Sequence, residues 1–304
     1  SQFKYFTQSL VSVVAFASNN YFFIKTGYFD PSAEEYAFLH TWSLGIEIQF
    51  YLIFPIILMY ALRYKLNKTI LFLSLLLFAS IYIFVWGSVK TPNASFYLLP
   101  FRMWEFLIGA LLVCNEKLQN PIKLKYNHNF GLALLILGIF GSSIFDLMAP
   151  YNNLAIVTGV AVYLLPGEKR NLANSVLELK IFQALGKYSY ALYLWHLPIF
   201  VIYRVIYLDD PSAAQTVLLF LAAYGLAYVS TVLIEEPIRR GIINNKVFNV
   251  SAVIIIITII VLSLISIRYD FYYKFRGHEK IHTENMYPVA DKAIIEAVRN
   301  TKNV

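Results

Sequence analysis

The sequence predicts an all-α fold, a polytopic transmembrane helix bundle of about nine spans, and three observations carry that expectation. Hydrophobic residues make up 59% of the 304 residues against 14% charged, with a mean hydropathy of +0.59, more apolar surface than one water-soluble core can hide. The apolar residues run in stretches bounded by charges, Pro or Asn, near the roughly 20 residues that cross a hydrocarbon layer about 30 Å thick. Basic residues collect in alternate connections between those stretches, the asymmetry of a chain threaded repeatedly through a bilayer.

Taken in order, the expected spans lie at 5–22, 43–62, 69–89, 98–114, 129–146, 152–165, 181–206, 213–235 and 248–267, the sixth being short. The first contains no His or Arg. The second begins in the richest polar run of the chain, from His40 to Tyr51. Helical spacing puts His40, Ser43 or Leu44, Glu47 and Tyr51 on one stripe. A carboxylate in hydrocarbon costs a few kcal/mol or more, so Glu47 needs a partner inside the bundle or in a water-filled cavity. The stripe reads as one wall of a substrate cavity; the competing reading is a helix cap at Thr41 or Ser43 with Glu47 as an interhelical tie.

The fourth span opens with Pro100-Phe101-Arg102-Met103-Trp104-Glu105. Arg102 and Glu105, three apart, can pair along the helix and either tie helices together or hold a hydroxyl-rich or anionic substrate. Cys114 is the single cysteine, which excludes an intrachain disulfide and a CxxC metal or redox site. The seventh span carries Gly186-Lys187-Tyr188-Ser189-Tyr190-Ala191-Leu192-Tyr193-Leu194-Trp195-His196-Leu197-Pro198. Pro198 cannot donate to the Leu194 carbonyl, so a kink and a freed acceptor are expected beside His196. His196 is then either a general base or a histidine bonded to that carbonyl. The eighth span closes with Glu235-Glu236-Pro237-Ile238-Arg239-Arg240, where i,i+4 ion pairs at a helix stop compete with a second reading, two arginines that receive a phosphorylated donor. The ninth, built largely of Ile and Val, reads as a plain lipid-facing anchor.

Charge orients the whole. One set of connections holds 13 basic residues, from Lys4 through Arg63, Lys117 and Arg170 to Lys246, while the other holds Lys25 and Lys90 with Asp30, Glu34, Glu35, Asp146, Asp209 and Asp210. The first set is expected in the cytoplasm, giving a cytoplasmic amino end and an outer tail. The net charge of +7 is thus topological, and no nucleic-acid partner is expected. The tail 268–304, with seven basic and five acidic residues, has too little apolar content to fold alone and is expected to lead to an extracytoplasmic domain.

In this order, HTWSLGIEIQFYLIFP, RMWEFLIG, GKYSYALYLWHLP and IEEPIRR resemble the bacterial membrane acyltransferase-3 family, in particular the members with an extra helix leading to an SGNH hydrolase-like domain. The resemblance covers nearly all of 5–267 and implies a division into an acyltransferase-3 membrane domain over 1–247, incomplete at its amino end, an extra helix at 248–267 and a tail or linker at 268–304. It implies transfer of an acyl group, usually acetyl, from cytoplasmic acetyl-CoA or another acyl-CoA to a hydroxyl of a surface polysaccharide such as lipopolysaccharide O-antigen, in the bacterial inner membrane, with no bound cofactor and no metal. The other partners implied are membrane lipid, a lipid-linked saccharide and an SGNH domain outside this chain. The expected catalytic residues are His40, Ser43, Glu47 and His196, the substrate-binding residues Trp42, Gln49, Tyr51, Arg102 and Glu105, and the donor-binding residues Arg239 and Arg240. The family's Arg and His ten residues apart in its first helix, and its following arginine-rich motif, have no counterpart here, so two helices are expected to be missing. The rival readings are a flippase for a lipid-linked sugar and an inactive membrane remnant.

Overall fold

A computed structural model describes residues 2–25, 36–118, 120–123, 127–145, 149–166, 172–207, 209–242, 250–251 and 253–261. Among these residues every regular element is a helix. The helices are α1 (Gln2–Val14), α2 (Ser18–Lys25), α3 (Trp42–Ala61), α4 (Leu66–Lys90), α5 (Pro92–Tyr97), α6 (Leu99–Glu116), α7 (Asn127–Phe145), α8 (Ala149–Leu164), α9 (Leu172–Leu177), α10 (Lys180–Tyr207), α11 (Ala213–Ser230) and α12 (Glu236–Arg239). A 3₁₀ turn, Leu39–Thr41, leads into α3, and a π-helical turn, Thr231–Glu235, joins α11 to α12.

Among the described residues four continuous stretches are long and apolar enough to cross a membrane: Leu39–Ala61, Leu66–Lys90, Pro92–Glu116 and Ala213–Arg239. Their outward residues include Leu52, Ile56, Met59, Leu71, Leu75, Phe78, Val217, Leu218 and Leu233. Contiguous apolar exposure of this kind is what lipid covers, and the chain is a multi-pass membrane protein. The 28 residues of α10 span about 42 Å and run without interruption through Pro198.

Residues 12–245 form one compact unit. Its apolar centre joins Ile46 and Phe50 of α3 to Leu99 of α6, with Trp42, Phe54, Met103 and Phe106 packed around them. Phe50 stacks on Phe54 and Phe106 at 4.7 and 4.6 Å. Helices α4 and α6 share a polar tie as well, since the Ser80 hydroxyl donates to the Pro100 carbonyl at 2.7 Å and accepts from the Trp104 N–H at 3.0 Å. The start of α11 is fixed by a capping box between Ser212 and Gln215, which satisfies two otherwise orphaned N–H groups. Residues 1–11 and 246–304 form a second unit, described for part of α1 and for helical backbone at 250–251 and 253–261. The tail 268–304 lies outside the described residues.

The expected first span, 5–22, is not one helix. It breaks between α1 and α2, where Phe16 takes a left-handed φ of +52° and the Ala17 N–H closes on the Ser12 carbonyl. Such a backbone costs roughly 1 kcal/mol or more for a residue other than Gly, and the tertiary contacts of the next residues offset it. The Ser18 hydroxyl donates to the Thr41 carbonyl at 2.8 Å. Asn19, fully buried, trades two amide bonds with Gln49 at 2.8 and 3.2 Å and donates to the Tyr97 carbonyl at 3.1 Å. Gly45 permits this approach, because a Cβ there would stand 2.7 Å from the Asn19 amide oxygen. The expected span 213–235 lies within the continuous helical stretch Ala213–Arg239; ahead of Pro237, which lacks an N–H, that helix widens into the π turn before resuming as α12.

Candidate functional site

The 3₁₀ turn presents His40, 8% exposed, at the head of α3, and Ser43 follows on its first turn. Helix α10 brings Tyr193 and His196, three residues apart and hence on one face, against them. The His40 and His196 rings lie 5.3 Å apart between centroids, with the Tyr193 ring 5.1 Å from His40 and 5.6 Å from His196. Tyr193 donates its one hydroxyl proton to the His40 carbonyl, which can only accept. The Ser43 hydroxyl lies 2.6 Å from that of Tyr193 and donates to the same carbonyl at 3.3 Å, so the two hydroxyls meet over one acceptor.

His196 Nδ1 lies 2.7 Å from the Tyr193 carbonyl, and since a carbonyl accepts, Nδ1 carries the proton and Nε2 keeps its lone pair in the neutral ring. The Leu194 carbonyl, deprived of its helical donor by Pro198, interacts with the His40 ring, yet neither ring nitrogen of His40 has a partner in hydrogen-bonding geometry. With the Leu194 carbonyl beside the ring, one His40 nitrogen has a polar neighbour and the other is left to bind a small polar group. The arrangement supplies a base lone pair at His196 and a second imidazole beside it, the equipment for activating a hydroxyl.

Glu47 sits one turn below Ser43, accepts from the Tyr51 hydroxyl at 2.9 Å and lies within electrostatic range of the Tyr190 and Tyr193 phenols. The stripe expected on α3 therefore faces α10 at His40, Ser43 and Glu47, while Tyr51 is 56% exposed. Gln49 turns the other way. Its amide donates to Asn19 Oδ1 and to the Phe16 carbonyl at 2.8 and 3.4 Å, and its oxygen accepts from Asn19, so all its donors are committed to the tie with α2.

Arg102 and Glu105 form the expected i,i+3 pair at 2.9 Å. Trp42 joins this pair to the α3 turn: the Arg102 guanidinium lies over its ring at 5.4 Å, and Phe96 stacks on it at 4.2 Å. Arg240 pairs with Glu236 at 3.3 Å, and Glu236 also binds Lys187 of α10 at 2.7 Å; Arg239 is exposed beside them. Among the described residues no group of three His, Cys, Asp or Glu side chains could hold a metal ion. Three residues of weight were passed over in the sequence: Tyr193, whose spacing to His196 marks the same helix face; Asn19, a polar side chain within an apolar run; and Lys187, whose partner is 49 positions away.

The chain is similar to several known proteins. It is 35% identical over 172 residues to an uncharacterized protein of Haemophilus influenzae, covering 54% of this chain and 69% of that one. It is 26% identical over 249 residues to the peptidoglycan O-acetyltransferase OatA of Listeria monocytogenes, covering 75% of this chain and 40% of the relative. It is 28% identical over 249 residues to the O-acetyltransferase OatA of Staphylococcus aureus, with 74% and 40% covered. The chain thus spans about two fifths of the length of these O-acetyltransferases. No solved structure matches it. The pattern of the acyltransferase domain runs across residues 4–236, through the α3 stripe, the α6 pair and the α10 histidine alike, and the chain belongs to the acyltransferase-3 family.

Proposed function

We propose that this chain is the membrane part of a bacterial O-acetyltransferase that takes an acetyl group from cytoplasmic acetyl-CoA and delivers it to a hydroxyl of a cell-envelope polysaccharide. The observation that supports the reading best is the apposition of two imidazoles, His40 and His196, beside Ser43 and Tyr193 within a membrane helix bundle. In the proposed reaction a sugar hydroxyl gives its proton to His196 Nε2 as its oxygen attacks the acetyl carbonyl. The C–O bond forms, the thioester C–S bond of acetyl-CoA breaks, and the departing coenzyme A thiolate takes up the proton.

His40, with unpaired nitrogens, holds the acetyl oxygen or the sugar, and Glu47 stabilises the charge that develops on the imidazoles. Trp42, with Arg102 and Glu105, forms the hydroxyl-binding flank. Arg239 and Arg240, with Lys187 nearby, receive the donor's phosphates. The topology that goes with this reading has nine spans in the inner membrane, the amino end in the cytoplasm and the tail outside. Two acceptors fit this reading: lipopolysaccharide O-antigen, and peptidoglycan, for which the Listeria relative is named.

The deciding experiment incubates membranes containing the full-length gene product with labelled acetyl-CoA. Base-labile label on saccharide is the expected result. A well-expressed protein that labels no saccharide overturns the reading and leaves a sugar flippase as the better account.

A further inference from the structure

We propose that Tyr193 is a positioning residue that holds both histidines of the acetyl-transfer site in register from a single point on α10, an inference that rests on the acetyl-transfer reading above. Its hydroxyl and its carbonyl do separate work. The hydroxyl donates to the His40 carbonyl and shares a hydrogen bond with the Ser43 hydroxyl, tethering the turn that carries His40 to a helix 153 positions later in the chain. The backbone carbonyl accepts from His196 Nδ1 at 2.7 Å, which fixes the tautomer and leaves Nε2 as the base.

The ring packs edgewise on His40 at 5.1 Å. His40 has no hydrogen bond of its own ring nitrogens to anchor it, so its placement rests on the backbone tether and on this packing. Proton relay is not the role. The Ser43 and Tyr193 hydroxyls both end on the His40 carbonyl oxygen, which is too weak a base to remove a proton, so the network sets geometry and does not activate Ser43 as a nucleophile.

Tyr193→Phe keeps the ring and the backbone carbonyl and removes the tether alone. The test measures acetyl transfer by the full-length gene product in membranes, with labelled acetyl-CoA, normalised to inserted protein. Wild type comes first: a wild type that transfers no label overturns the acetyl-transfer reading itself. With an active wild type, Tyr193→Phe is expected to lower kcat roughly 10- to 100-fold while the KM for acetyl-CoA stays within about twofold.

Ser43→Ala, which removes the second hydroxyl from the same His40 carbonyl, is expected to lower kcat to a similar degree, and the double variant to fall no further than the worse single. A merely structural role reduces inserted protein and leaves kcat unchanged, and that outcome overturns the proposal. So does a double variant whose loss is the product of the singles, or a Ser43→Ala loss far larger than that of Tyr193→Phe, which makes Ser43 a reacting group. If Tyr193→Phe does not insert, Ser43→Ala decides alone, wild-type kcat counting against the tether.

Discussion

A hydroxyl proton can be donated once, and the Tyr193 and Ser43 hydroxyls, 2.6 Å apart, share one acceptor, the His40 carbonyl. The same bookkeeping separates Gln49, whose amide is saturated by Asn19 and Phe16, from His40, whose ring nitrogens are unpaired. His196→Ala removes the Nε2 lone pair that the Tyr193 carbonyl fixes beside His40, and acetyl transfer is expected to fall at least about 100-fold with insertion retained, read by labelled acetyl-CoA against immunoblotted membranes. Glu47→Ala is expected to abolish surface acylation with membrane insertion intact; unchanged acylation removes Glu47 from the site. Asn19→Ala removes both Asn19 bonds from the Gln49 side chain, leaving it only the Phe16 carbonyl, and takes the donor from the Tyr97 carbonyl; it is expected to cost about 1–3 kcal/mol of stability, measured as a lower melting midpoint in detergent. These side chains were legible in the sequence to different degrees. A His and a Glu in an apolar run announce themselves by their cost, whereas Tyr193 is one of 23 tyrosines and only its contacts single it out.

Between helices, backbone proximity decides what fits. Helices α7 and α8 meet through glycines: a Cβ on Gly138 would stand 2.4 Å from Ile156 Cγ1, one on Gly131 2.6 Å from the Tyr163 nitrogen, and one on Gly159 2.9 Å from the Gly131 carbonyl. Small residues let membrane helices approach until their backbones touch, in a medium where apolar burial gives no drive for association. The hairpin is closed at one end by Asn127, whose amide donates to the Leu165 carbonyl, and by His128 Nδ1 at 2.8 Å from the Tyr163 carbonyl. Gly138→Leu is expected to destabilise the protein by about 1–3 kcal/mol, while Gly109→Leu, with nothing within 4 Å of the added Cβ, is expected to stay within about 0.5 kcal/mol; detergent melting compares them. Helix positions followed from hydropathy, but the break at Phe16 and the π turn at Thr231–Glu235 did not, because both depend on partners distant in the chain.

For the molecule as a whole, charge asymmetry across the connections predicts a topology that accessibility can read. In a Cys114→Ser background, cysteines placed beside Arg240 and beside Asp210 are expected to react with a membrane-impermeant thiol reagent from opposite sides of sealed membranes, Asp210 from outside; the reverse pattern, or labelling of both from one side, overturns the orientation. The sequence by itself determined that the chain is helical, lies in lipid and carries an acyltransferase-3 pattern, because apolar run length, helical spacing and the cost of buried charge act locally and are written in consecutive residues. Tertiary structure alone decided that His40 meets His196, that Tyr193 joins them and that Gln49 is turned away toward Asn19. Those facts depend on which faces of helices far apart in the chain are pressed together, and a buried polar atom finds its partner only once they are.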